Sequence, residues 1–324
     1  MGSNSEGKGK RETRTLINKK STKVTTPPIK SQGIKTKLVP WINEVMPSYS
    51  GKWIEPFLGT GVVAFNSDAK LAILGDTNPH IIKLYKAIQQ GEITGAKVAK
   101  YLKHEGNLLL HAPDKGYAHY RFIRDRFNKE FSSYDFIFLS RAGFNGMMRF
   151  SKNGWNIPFC QKPNRFAQAY ITKIQNQVNG VARIIQPEPN WIFLNQSFEE
   201  TIKTATANDV IYCDPPYHGR YVDYYNGWTD ENEETLFKLL EKTPAKFVLS
   251  TWHHSSYREN LMIEKYWKKF HLYTRDHFYH AGGKVENRRE IVEALVCNFE
   301  PLDIAKHNHQ VKKNQLIIQG SLEI

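Results

Sequence analysis
Short apolar runs recur along the chain, and each stops at an acid, a glycine or a proline. "KWIEPF" (52–57) reads as a strand that enters "LGTGVVAFN", a glycine turn followed by a helix. "LAILGD" (71–76) is a second strand, ending on an acid. "PHIIKLYKAIQQ" (79–90) places Ile81, Ile82, Leu84, Tyr85 and Ile88 at helical spacing. The same style returns after residue 190 with four strand candidates: "WIFLNQSF" (191–198), "VIYC" (210–213), "FVLST" (247–251) and "IVEALVCNF" (291–299). "DENEETLFKLLEKT" (230–243) is an acidic-headed helix with one apolar face. Strands alternating with helices predict an α/β fold built on a doubly wound, mostly parallel sheet. Two such segments flank a basic middle without an internal repeat, which predicts one sheet with a substrate-reading domain inserted into it. Residues 300–324 read as a polar tail with a short strand, "QLIIQG".

Charge sharpens this picture. The 324 residues carry a net charge of +13, which favours an anionic partner, and nucleic acid is the commonest. Residues 1–26 hold seven Lys/Arg against two acids and read as a disordered basic arm. Residues 100–190 hold fourteen against six, which places the polyanion contact in the middle of the chain. No apolar run approaches the ~20 residues of a membrane helix, so no membrane partner is expected. The first twenty residues lack the apolar core of a secretory signal, and "MGSNSE" fits a myristoylation pattern too weakly to count. Cys160, Cys213 and Cys297 show no metal or disulfide spacing and read as buried thiols in a reducing cytoplasm.

Two strand ends carry candidate chemistry. Phe57, Gly59 and Gly61 lie between a strand and the next element, where glycines let backbone approach a cofactor closely. The next strand ends at Asp76, an acid able to accept hydrogen bonds from ribose hydroxyls. A pair of this kind suits an adenosine, and without GK[ST] it is no P-loop. NAD and S-adenosylmethionine both remain open at this point.

"IYCDPPY" (211–217) narrows the choice. A central strand cannot use proline, so "VIYC" is the strand and "DPPY" a rigid loop at its end. Such a loop suits an amino-methyltransferase. The exocyclic N6 of adenine is a poor nucleophile because its lone pair is delocalised into the ring. Two fixed acceptors, the Asp214 carboxylate and the Pro215 carbonyl, localise that pair. Pro215 and Pro216 hold both still. Tyr217 can stack on the purine, worth ~1–3 kcal/mol per base. The structural alternative is a Pro-Pro turn with a capping acid.

The chain resembles the Dam-like (alpha-class, D12) N6-adenine DNA methyltransferases over roughly residues 27–299. Glycine loop, recognition region and DPPY come in that group's order. "PPIKSQGIKTKLVP", "EPFLGTGVVAFN", "DTNPH" and "KPNRFAQAYITKI" are most similar to its EcoRV-type modification methylases. The resemblance implies a seven-stranded methyltransferase sheet made by residues 27–90 and 191–299. It implies a largely helical target-recognition domain over 91–190 that carries a β-hairpin. It implies S-adenosylmethionine as cofactor, no metal, and double-stranded DNA as partner, with a flipped adenine in a GAT-containing palindrome such as GATATC. It further implies a restriction-modification setting with a cognate nuclease for the same site, a monomer or weak dimer, and a place on DNA in the cytoplasm.

By the same resemblance Lys35 faces the methionine end of the cofactor and Lys30 reaches the first guanine. Ser197 and Phe198 touch the cofactor's adenine. Ser31 stands where Trp is usual, Ile34 where Gly is usual, and Gln196 where an acid is usual. "RAGFNGMMRFSKNGWNIPF" (141–159) resembles the target-reading hairpin and carries Arg141, Phe144, Asn145, Met147, Arg149 and Pro158. Its arginines, aromatics and "NG" turns suit base reading in their own right. Arg149 is then the base reader and Phe144 a wedge beside the flipped adenine. Rival readings are a methyltransferase on another planar amine (cytosine N4 or an RNA base) and a silent DNA-binding homologue. "WHHSSY" (252–257), His277 and His280 are not spaced for a metal. "HFYHAGGKVENRR" reads as a mobile basic loop in which Arg288 or Arg289 reaches phosphate.

Overall fold
A computed structural model describes residues 23–31, 33–146, 148–187, 190–217, 227–278 and 290–301. Its centre is a seven-stranded sheet in the order β5-β2-β1-β6-β7-β9-β8. These strands are β1 (Trp53–Glu55), β2 (Ala72–Asp76), β5 (Trp191–Asn195), β6 (Val210–Cys213), β7 (Lys246–Ser255), β8 (His271–Phe278) and β9 (Glu290–Cys297). The first five in spatial order run parallel, and β9 lies antiparallel between β7 and β8. Trp53 pairs with Ala72 on one side and Val210 on the other, so β2, β1 and β6 run in step.

Side-chain alternation sorts two cores. Trp53, Tyr212 and Val248 face one layer, while Ile54, Ile211, Cys213 and Leu249 face the other. Helices α7 (Phe198–Ile202) and α8 (Asp230–Lys242) cover the second face. The first face packs against α1 (Val39–Val45), α2 (Pro79–Gln89) and the helical middle of the chain. That middle comprises α3 (Gly95–His111), α4 (Tyr117–Glu130), α5 (Ser133–Ala142) and α6 (Gln168–Ile185). Between α5 and α6 lies the hairpin of β3 (Phe150–Ser151) and β4 (Gly154–Trp155). Its tight turn has Gly154 at φ +94°, where a side chain would be strained.

In α6, Ile171, Ile174, Val178, Val181 and Ile185 form one buried stripe. An ion cluster ties α3, α4 and α5: Arg126 grips buried Asp135 with Nε at 2.9 Å and Nη2 at 2.6 Å, and also reaches Glu105. Paired on both oxygens, Asp135 avoids the cost of an uncompensated buried charge. The helical middle and the sheet share one continuous hydrophobic core.

Several sequence expectations change. The glycine loop is followed by one 3-10 turn, Ala64–Asn66, rather than a helix. Gly61 at φ +73° and the Asn66 side chain, which donates to the carbonyls of Thr25 and Val62, stop it there. α1 and β8 were not anticipated, and β7 runs four residues beyond Thr251. Cys213 and Cys297 are buried, but Cys160 is only half-buried, its sulfur accepting from Arg165 Nε at 3.2 Å. "QLIIQG", the basic arm before residue 23, His280 and residues 279–289 lie outside the described residues. No helix among the described residues is long and apolar enough to cross a membrane.

His80, at the start of α2, stacks on Phe150 at 5.1 Å and contacts Phe127 and Phe136. Burial, helped by Lys83, pushes its imidazole down to about 4. A depressed histidine favours folding above its unfolded pKa of ~6.5 and loses that advantage as pH falls toward the folded value. The chain is expected to lose at most ~3 kcal/mol from this group between about pH 6.5 and 4. Denaturant titrations across that window will show a shallower slope for His80→Leu.

Candidate active site
The carboxyl ends of β1, β2 and β6 meet at one edge of the sheet, and a cavity of ≈270 Å³ opens there. Phe57, Gly59, Asp76, Ser197, Phe198, Asp214 and Pro216 all line it. A smaller space of ≈60 Å³ adjoins it, sharing Ser31, Phe57, Gly59 and Asp214 and adding Lys35 and Glu55. A larger groove of ≈500 Å³ between α2 and the start of α5, lined by Lys83, Lys86 and Tyr134, is remote from these strand ends.

Asp76 holds the glycine loop in shape. One carboxylate oxygen accepts from Gly59 N at 2.7 Å and the other from Asn78 N at 2.8 Å. Each oxygen keeps a further lone pair for a ligand. Burial pushes the Asp76 carboxyl up to about 6, against the pull of those two N–H groups, although the side chain still faces the cavity. Gly59 sits at φ +50°, and a Cβ built there meets no protein atom within 4 Å. The missing side chain thus leaves room on the cavity side. Gly61 is tight for a different reason: its Cβ would lie 2.5 Å from Phe65. Gly61 therefore shapes the loop without lining the cavity.

Asp214 directly follows β6 and is paired with Lys35. The ammonium lies 2.8 Å from Oδ1 and 3.0 Å from Oδ2, and it also donates to the Gly33 carbonyl at 3.0 Å. Burial raises the Asp214 carboxyl, and Lys35 opposes that rise. The same ammonium stands 4.7 Å from the centre of the Tyr217 ring. Tyr217 is buried, and its hydroxyl donates to Glu293 Oε2 at 2.5 Å. Pro215 and Tyr217 therefore flank the cavity without lining it, whereas Asp214 and Pro216 form part of its wall. Glu55, buried at the end of β1, takes the Trp53 indole N–H at 3.0 Å. Burial pushes its carboxyl well above the usual range, and Asp214 and Asp76 add to the shift.

Trp228, which lines the cavity, was missed by the sequence reading. With Phe57 and Phe198 it makes an aromatic trio, with centroids 5.3 to 5.5 Å apart. Its indole N–H donates to Glu233 Oε2 at 2.7 Å, and Trp267 donates to Oε1 at 2.9 Å. The available signal was the Thr229–Asn232 capping box, which begins α8 directly after Trp228.

The hairpin residues gather in a second cluster. Lys30 N donates to Ser140 Oγ at 3.0 Å, and the Lys30 side chain lies against Gly146. Arg141 stacks over Tyr170 at 4.1 Å and donates to the Arg165 carbonyl. Burial and the positive charges of Arg141, Arg165 and Lys173 lower the Lys30 ammonium. Arg165 and Lys173 were also missed; α6 and the turn before it bring them in. Phe144 is half exposed, and Asn145 and Pro158 are exposed beside it, with Phe144 N bonded to the Pro158 carbonyl at 2.9 Å. Arg149 Nε donates to Asn156 Oδ1 at 2.9 Å. Met148 and Phe150 carry the hairpin to the cavity wall. Met147 lies outside the described residues.

Similarity to known proteins falls on these same segments. Residues 31–281 match the D12 class N6 adenine-specific DNA methyltransferases, and the chain belongs to that family. It is 28% identical to the retron Ec67 DNA adenine methylase of Escherichia coli over 66% of this chain and 71% of that protein. It is 32% identical to the DNA adenine methylase of Haemophilus influenzae over 59% of this chain and 63% of that one. Against the Type II methyltransferase M1.LlaDCHI of Lactococcus lactis subsp. cremoris, 23% identity extends over 82% of this chain and 93% of that protein. The chain is an adenine-specific DNA methyltransferase by family.

Each Glu233 oxygen takes one indole N–H, so an amide in its place would turn its NH₂ toward one of the two indoles. Glu233→Gln is expected to lose about 1–3 kcal/mol of stability by orphaning a buried donor. Denaturant melts followed by tryptophan emission will show the lower midpoint.

Proposed function
We propose that this chain transfers a methyl group from S-adenosylmethionine to N6 of an adenine flipped out of duplex DNA. One observation carries the reading: Asp214 lines both adjoining cavities together with Gly59 and Phe57. The residues present fit an adenosine: open space over Gly59, a doubly anchored Asp76 with free lone pairs, and three aromatic rings. Gly59 and Asp76 hold the ribose, Ser197 and Phe198 border the purine, and Lys35 meets the methionine end. When bound, the cofactor supplies a methyl group on a positively charged sulfur.

Asp214 and the Pro215 carbonyl accept the two hydrogens of the target amine, which localises the nitrogen lone pair. Tyr217 gives the purine a stacking face once Lys35 leaves it. No strong base is needed before attack, because the positive charge on sulfur would already activate the donor's methyl group. Asp214, whose burial raises its proton affinity, takes the proton afterwards. Flipping costs a few kcal/mol and is met by contacts from the hairpin and the basic cluster. Lys30, Arg141, Phe144, Asn145, Met147, Arg149 and Pro158 face DNA, with Arg149 on a base edge. The sequence resemblance supports a GAT-containing palindrome, GATATC first. One active site serves each strand in turn, so a monomer suffices.

The test is incubation of DNA with S-adenosylmethionine, digestion with methylation-sensitive nucleases, and sequencing with modified-base detection. Protection at adenines within one short palindrome is expected; methylation of RNA or of cytosine N4 instead would overturn the proposal. Asp214→Asn is expected to lower kcat by about 10²–10³-fold. Arg149→Ala should relax one position of the site by about 1–3 kcal/mol. Lys173→Gln should instead weaken binding to all sequences alike and reduce the salt slope by about one. Filter-binding titrations on cognate and scrambled duplexes separate these two results.

A further inference from the structure
Strand β9 carries an acid where its neighbours are apolar. From Ile291 to Cys297 every residue but Glu293 is apolar, and Glu293 is 0% exposed. A carboxyl taken wholly out of water is costly unless it is bonded. Glu293 Oε2 accepts the Tyr217 hydroxyl at 2.5 Å, which joins β9 to the last residue of the DPPY loop, 76 positions earlier in the chain.

The prolines of that loop fix its backbone but not the ring. Pro215 and Pro216 restrict φ, whereas the Tyr217 side chain turns about two torsions of its own. A bond to the hydroxyl, at the far tip of the ring, stops both. Packing supports the same placement: Tyr217, Trp252 and Ile291 form one buried cluster. Trp252 and Glu293 pair across β7 and β9, and just beyond them β7 carries one extra residue, His253, before His254 pairs with Val292. A bulge of this kind re-aims the side chains beside it. Glu293 also stands near enough to Asp214 to add to the rise that burial causes there. It lies behind the ring, whereas Asp214 lies in the cavity wall.

We infer that Glu293 is a positioning residue: through the Tyr217 hydroxyl it sets the angle of the ring that receives an unstacked adenine. The inference rests on the proposed transfer to adenine. The base then meets a face already at its working angle, with its amine in reach of the Asp214 carboxylate and the Pro215 carbonyl. Without the tether the ring turns, the purine is held loosely, and the amine spends less time in line with the methyl group. Glu293 thus acts on the base and not on the cofactor.

The test compares the full chain with Glu293→Gln, Tyr217→Phe and the double variant Tyr217→Phe with Glu293→Leu. Glu293→Gln keeps an oxygen that accepts the phenol, and its kcat should stay within about threefold of the wild type. The double variant removes both partners, so neither is left buried alone, and its melting temperature should stay close to that of the wild type. Its kcat should fall about ten- to a hundredfold, with the KM for S-adenosylmethionine and the calorimetric affinity for S-adenosylhomocysteine unchanged. With 2-aminopurine in place of the target adenine, fluorescence anisotropy of the bound base should drop in the double variant and hold in Glu293→Gln. Tyr217→Phe alone should show the same losses, which decides the matter if the double variant melts early. Wild-type kcat and anisotropy in the variants lacking the hydroxyl overturn the inference, as does a matching loss of cofactor affinity, while the adenine reading stands. Failure of the wild type to methylate adenine in any duplex removes both readings.

Discussion
Parallel strands that run in step must all release the chain at the same edge. β2, β1 and β6 do so, because Trp53 pairs with Ala72 on one side and Val210 on the other. That register brings Asp76, the Phe57–Gly59 turn and Asp214 together from three distant stretches of sequence. The contacts within the edge then follow from it. Asp76 secures the glycine turn through Gly59 N, and Lys35 secures Asp214 from a segment that precedes the sheet. Each anchor uses a charge-assisted hydrogen bond, which is about twice as strong as a neutral one.

The edge also manages its own charge. Burial raises Glu55, Asp76 and Asp214, the charges of Asp214 and Asp76 add to the rise at Glu55, and Lys35 is the cation bonded to Asp214. Burial raises the Glu55 carboxyl, against the pull of the Trp53 indole N–H that it accepts at 3.0 Å. For the proposed chemistry that matters, because burial raises a carboxylate's proton affinity and a neighbouring cation lowers it.

Strand ends were legible because proline and acid positions mark where a ladder must stop: β6 occupies 210–213, as "VIYC" followed by DPPY requires. α2 and α8 were legible from period and caps. Cavity-lining and clustered side chains set by packing between distant segments were not. Trp228 becomes a wall of the cavity only because buried Glu233 accepts both its indole and that of Trp267. Arg165 and Lys173 join Lys30 only through the placement of α6 and the turn before it. The "EE" at 199–200 reads as an ordinary helix start, and only coordinates show that one acid caps the helix and the other does not. The glycine turn misled in the other direction, since Val62, Val63 and Ala64 look helical but Gly61 and Asn66 end the turn early.

In the proposed reaction, Tyr217 lets a rigid loop admit a base. Its hydroxyl is held by Glu293, a fully buried residue of the antiparallel strand β9, so the ring plane is fixed from behind. The Lys35 ammonium stands over the face. A cation over an aromatic face is worth ~0.5–2 kcal/mol, and base stacking on an aromatic ~1–3 kcal/mol. The exchange of one for the other is therefore close to balanced. It needs only a flexible four-carbon stem to swing aside, while the backbone of DPPY stays in place. A ring of phenylalanine at position 35 would hold that face far more firmly, and a small residue would leave Asp214 buried without its counter-ion. Lysine suits both demands of the proposed reaction: it neutralises the acid while it covers the face, and its flexible stem can yield the face to a purine.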